Sequence, residues 1–113
     1  MTILFTQYWD VNTGEYDDYS KFISEEYNPG LDKLGLKVVG GFYVAVGSGP
    51  RILAVATMQN GSGLLSALAS REYRILSTQL MKYVYNYGSK VWIPTGMFRD
   101  QPFSIQTGAF KFN

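Results

Sequence analysis

Histidine and cysteine are both absent from the 113 residues of this chain. That removes thiolate nucleophiles, disulfides, serine–histidine triads, imidazole acid–base catalysis, histidine-ligated haem and nearly every zinc or copper site. Any chemistry must therefore come from Tyr, Asp, Glu, Lys, Arg or backbone groups, and no cofactor is expected. The unusual holdings are nine tyrosines and two tryptophans. Asp17-Asp18 and Glu25-Glu26 have the composition of paired acid–base carboxylates. Neighbours on a helix point about 100° apart, however, and the apolar stripe lies elsewhere, so both pairs read as solvated faces. Gly61-Ser62-Gly63 has the context of a phosphate loop, but a third glycine would fall at position 66, which is Ser66. An ordinary capped turn is the better reading.

The elements that must position these side chains follow from periodicity. Residues 3–11 alternate large side chains in both phases, which fits a strand covered on both sides. Asn12-Thr13-Gly14 is turn chemistry, and Asp17 and Asp18 then place negative charge in a first helical turn. Tyr16, Tyr19, Ile23 and Tyr27 form one stripe, and Asn28-Pro29-Gly30 is expected to stop that helix. Strands are expected at 37–46 and 51–58, joined by Gly47-Ser48-Gly49-Pro50. Ser70 reads as an N-cap, the stripe Tyr73, Leu76, Leu80, Tyr83, Val84 and Tyr87 as one helix, and Gly88 as its C-cap. A last strand is expected at 90–97. Residues 1–98 thus make one α+β domain, a ferredoxin-like βαββαβ arrangement whose four-stranded antiparallel sheet carries two helices on one face. The apolar extension 99–113 is expected to pack on a partner subunit.

A sheet with both helices on one face leaves the other bare, and a bare apolar face needs a partner. Hydrophobic residues make up 46% of the chain and charged residues only 17%, below the roughly 25% of an average soluble domain, so part of the surface is expected to be shared in a homodimer. Net charge is +1 with ten basic and nine acidic residues scattered along the chain, which is no footprint for nucleic acid. No membrane span and no export signal are evident, so the expected location is cytoplasmic.

The segments Gly14-Glu15-Tyr16-Asp17-Asp18-Tyr19, Asn28-Pro29-Gly30-Leu31-Asp32-Lys33-Leu34-Gly35, Gly41-Phe42-Tyr43 and Ser70-Arg71-Glu72-Tyr73-Arg74-Ile75-Leu76, up to Pro94-Thr95, resemble the NIPSNAP-like branch of the dimeric α/β-barrel superfamily. The likeness spans 2–98 and rests on loose motifs. It implies two sheets facing each other around an internal pocket. The superfamily includes cofactor-free monooxygenases, haem-degrading enzymes, isomerases and members without known activity, and those that use a histidine are disfavoured here.

If Phe5, Gln7, Trp9 and Val11 face the helices, Thr6 and Tyr8 point into the barrel, and similar alternation adds Tyr43 and Trp92. In the opposite phase Gln7 and Trp9 replace Thr6 and Tyr8. Either wall is aromatic with a few hydroxyl or amide groups, suited to a small aromatic or polyketide-like molecule with Tyr8 or Tyr43 as hydrogen-bond donor. Two other readings stay open. One is a cofactor-independent monooxygenase or isomerase using a Tyr hydroxyl or the Asp10 carboxylate, and the other is an interaction protein whose interior is filled core. The residues do not decide whether the chain is an enzyme.

Overall fold

The computed structural model describes residues 2–95. The last part of the expected final strand and the extension 99–113 lie outside the described residues. In chain order the elements are β1 (Ile3–Val11), α1 (Tyr16–Phe22), a π-helical turn (Ile23–Tyr27), α2 (Asn28–Lys33), β2 (Lys37–Tyr43), β3 (Ile52–Met58), α3 (Gly61–Leu68), α4 (Arg71–Leu80) and β4 (Val84–Trp92). The four strands form one antiparallel sheet in the order β2-β3-β1-β4, the ferredoxin-like α+β arrangement. β1 is a central strand, which is why both of its faces carry large side chains.

The core lies between the sheet and the helices. Ile3, Phe5 and Trp9 of β1 meet Tyr19, Phe22, Tyr27, Leu31, Leu64 and Leu80 of the helical layer. Trp9 is the hub, in edge contact with Tyr19 and Tyr27 and stacked on Tyr87 at 6.2 Å between ring centroids. Burying a side chain of that size stabilises the fold by several kcal/mol, of order ~3.

Pro29 does not stop the first helix. Asn28 keeps helical angles (φ −63°, ψ −45°), and its N–H reaches back five residues to the Ile23 carbonyl. The wider turn gives the pyrrolidine ring room, and the N–H that Pro29 lacks is absorbed where the helix changes from π to α. The stop comes at Gly35, whose φ of +87° is a left-handed C-cap. Its N–H bonds the Asp32 carbonyl at 2.9 Å and that of Leu36 bonds the Leu31 carbonyl at 2.9 Å, and both leucines are buried in the core.

The second correction concerns the end of α4. Ser70 caps its start, accepting from the Tyr73 N–H at 3.1 Å, but the helix closes at Leu80 and not at Tyr87. The Tyr83 carbonyl is taken by the Asn12 N–H at 2.8 Å, and the Lys82 carbonyl by the Asn12 side chain at 3.2 Å. This anchors the chain to the end of β1, so 84–92 becomes a strand. Tyr83, Val84 and Tyr87 still reach the core, from a turn and a strand. Spacing of three and four fits a helix, but where a β-bulge adds a residue it also fits a strand. That bulge lies at Asn86 (φ +54°), where the β1–β4 register slips between Tyr8 and Asp10. β2 is shorter than expected, ending at Tyr43, and a loop runs to β3 with the Val44 N–H bonded to the Arg51 carbonyl at 2.9 Å.

Candidate functional site

Directly opposed residues share a face of a sheet. On the face away from the helices, Leu4, Thr6 and Tyr8 lie opposite Thr57, Val55 and Leu53 of β3, and opposite Trp92, Lys90 and Gly88 of β4. Phe42 adds an exposed ring opposite Leu53. None of these residues belongs to the core cluster.

Thr6 is the centre of this face. Its hydroxyl oxygen accepts the Trp92 indole N–H at 2.7 Å. Its single proton can serve the Tyr8 hydroxyl at 3.3 Å or the Lys90 carbonyl at 3.4 Å. Thr6 is buried beneath its neighbours although no helix covers it. The Lys90 ammonium lies 5.9 Å from the Tyr8 ring centroid and 5.5 Å from that of Trp92, in reach of both π faces. Gly88 stands opposite Tyr8, and a Cβ there would be in ordinary van der Waals contact with the Tyr8 ring at 3.6 Å.

The structure thus brings Thr6, Tyr8 and Trp92 together and leaves Tyr43 apart. Tyr43 opposes Ile52, which opposes Trp9, so it stands on the helix-facing side at the sheet edge. The bulge between Val38 and Gly40 on β2 shifts the alternation. Its hydroxyl bonds that of Tyr16, which pushes the Tyr43 hydroxyl pKa up. A shallow groove of about 240 Å³ runs beside them, between α1 and the edge of β2.

Gln7 and Trp9 are buried beneath the helices. The Gln7 amide oxygen accepts from the Tyr27 hydroxyl at 2.6 Å and the Tyr87 hydroxyl at 2.7 Å. The Trp9 indole N–H donates to the Tyr19 hydroxyl at 2.9 Å. Burial pushes the hydroxyls of Tyr27 and Tyr87 far above the ordinary phenol range, with neighbouring tyrosines adding to it, and raises Tyr19 despite the Trp9 bond. These hydrogen bonds tie β1 to the helical layer and to β4 within the core.

Asp10 is also committed. One carboxylate oxygen accepts the Arg51 N–H at 2.8 Å and the other the Asn86 amide at 3.1 Å, tying the start of β3 to the bulge of β4. Asp17, Asp18, Glu25 and Glu26 are exposed. The Asn60 side chain occupies the N–H groups of Ser62 and Gly63 at 3.1 and 3.3 Å, so the glycine turn is capped by its own chain. Among the described residues no group of three or more metal-ligating side chains occurs, and no helix is long and apolar enough to cross a membrane. Lys90 is the residue that sequence reasoning missed. Stepping back by two from Trp92 along its strand reaches it, once β4 is known to start at Val84.

No family model matches the sequence, and no curated protein matches it either. Solved structures do. A NIPSNAP family protein from Agrobacterium tumefaciens is 13% identical with a TM-score of 0.64, over 85% of this chain and 95% of that one. SnoaB from Streptomyces nogalater, described as a cofactor-independent oxygenase, is 12% identical with a TM-score of 0.62, over 82% and 92%. A dabb family protein with a ferredoxin-like fold from Mesorhizobium loti is 8% identical with a TM-score of 0.67, over 84% and 98%. At such identities the likeness is one of fold: this chain has the ferredoxin-like α+β architecture of NIPSNAP family proteins and of their structural neighbours.

Proposed function

We propose that two copies of this chain associate through the helix-free face of the sheet and that the space between them binds a small aromatic molecule. The observation that carries the reading is the wall of Leu4, Tyr8, Phe42, Leu53, Val55 and Trp92, which no helix among the described residues covers, with Phe42 at 56% and Trp92 at 45% exposure. Apolar side chains contiguous over a whole sheet face are rarely left in water by a monomer. Thr6, Tyr8 and Lys90 supply the few polar groups that orient a ligand in such a pocket. Thr6, Tyr8 and Trp92 are the pocket residues in this reading, and Tyr43 is a rim residue of the neighbouring edge. The protein is cytoplasmic in this reading, and the extension 99–113 lies against the partner subunit.

Native mass spectrometry of the protein from its source cell tests both parts. The expected result is a dimer that retains a small molecule, and a bare monomer overturns the reading. Oxygenase chemistry stands second, favoured by the hydroxyl and amine groups gathered on an aromatic wall. It requires oxygen uptake with a polyphenolic substrate that disappears in Tyr8→Phe.

A further inference from the structure

Resting on that reading of the helix-free face, we infer that the ligand of this pocket is an anion, a planar aromatic carboxylate whose charge is met by Lys90 and Tyr8. On the helix-free face the described strands carry two cations, Lys37 at the β2 edge and Lys90 on β4, and Lys90 is the one that stands against aromatic rings. Its ammonium lies against two aromatic rings and has no carboxylate and no hydrogen-bond acceptor among the described residues. The Tyr8 hydroxyl stands 3.3 Å from that of Thr6, and when Thr6 donates to it its own proton is free to turn to a ligand. The Lys90 ammonium and the Tyr8 hydroxyl are thus two donors beside the Trp92 ring that a bound acceptor can engage.

Asp10, the acid on the same strand face, has both oxygens held by Arg51 and Asn86. It is not free to neutralise Lys90. Covering this face with a second copy strips water from the ammonium, and the rings alone replace only part of that hydration. A bound carboxylate restores the charge balance and accepts the Tyr8 proton, while its ring lies on Trp92. Charge-assisted bonds of this kind are the strong ones in a pocket.

The test titrates the full chain with naphthoate and its uncharged counterpart naphthamide, by calorimetry and by the Trp92 indole N–H resonance. Naphthoate is expected to bind about tenfold or more tightly than naphthamide. Lys90→Met should abolish the preference for naphthoate over naphthamide, and Lys90→Arg should keep it. Far-UV circular dichroism confirms that both variants fold. Equal affinity of the two ligands for the unmodified protein overturns the anion inference and leaves the pocket standing. Binding of neither at millimolar concentration overturns the pocket reading together with the inference. A naphthoate preference that persists in Lys90→Met also overturns it, since the charge would then be met elsewhere.

Discussion

The two faces of β1 carry nearly the same chemistry and end in opposite conditions. Toward the helices, Gln7 and Trp9 offer an amide and an indole, and the Gln7 amide oxygen and the Trp9 N–H each find tyrosine hydroxyls within 2.9 Å. Away from them, Thr6 and Tyr8 offer two hydroxyls beside an indole and an ammonium, and the ammonium has no acceptor among the described residues. A closed network specifies a core, because each member is paired and removing one strands the others. An open one has capacity for something that the chain itself does not supply. Aromatic and polar composition alone does not separate a core from a site; the difference lies in whether the hydrogen bonds are used up.

Substitutions on the two faces should therefore behave unequally. The largest effect is expected from Trp9→Ala, which empties the hub between Tyr19, Tyr27 and Tyr87. Denaturant unfolding should show a loss of about 3–5 kcal/mol, against a much smaller loss for Trp92→Ala. Similar costs at both tryptophans would break the comparison. Next is Gln7→Leu, which takes away the oxygen that both the Tyr27 and Tyr87 hydroxyls donate to and should cost about 2–4 kcal/mol. Thr6→Val on the open face should cost under about 1 kcal/mol by the same measurement.

Alkaline pH sharpens the contrast. Tyr27 and Tyr87 have folded pKa values raised above the ordinary 10.0, so folding keeps protons that the unfolded chain gives up. Their contribution is fully present below about pH 10 and is lost as pH rises beyond it, at up to about 1.4 kcal/mol per pH unit for each group. Unfolding free energies between pH 9 and about 11 should fall less steeply in Tyr27→Phe than in the unmodified protein. The smallest effect is expected from Tyr8→Phe, under about 0.5 kcal/mol in stability, with its consequence confined to ligand affinity.

Much of the architecture was legible in residue order. The alternation of 3–11, the acidic turn at Asp17 and Asp18, and the cap at Ser70 are local signals, set by side-chain period and by the valence of terminal N–H groups. The phase of β1 was legible only as two alternatives, because a central strand is apolar on both faces and its pattern does not say which side the helices take. Pro29 misled because the rule it obeys concerns α geometry, and a π turn evades it. Tyr83, Val84 and Tyr87 misled because they are buried either way. The Asn12 contacts that turn them into a strand come from 70 residues away in sequence. Tyr43 was placed by simple alternation, and the β2 bulge shifted it to the other side.

By itself the sequence determined the class of fold, the strand order along the chain, and the chemistry excluded by having no histidine and no cysteine. These depend on residue type and near spacing, which any conformation of the chain carries. Only the tertiary structure decided that the Gln7 amide oxygen is taken by two core hydroxyls while Tyr8 faces the helix-free side, and that Lys90 stands against two rings. Whether a polar group is satisfied depends on distant partners meeting in space, and burial makes the absence of one costly.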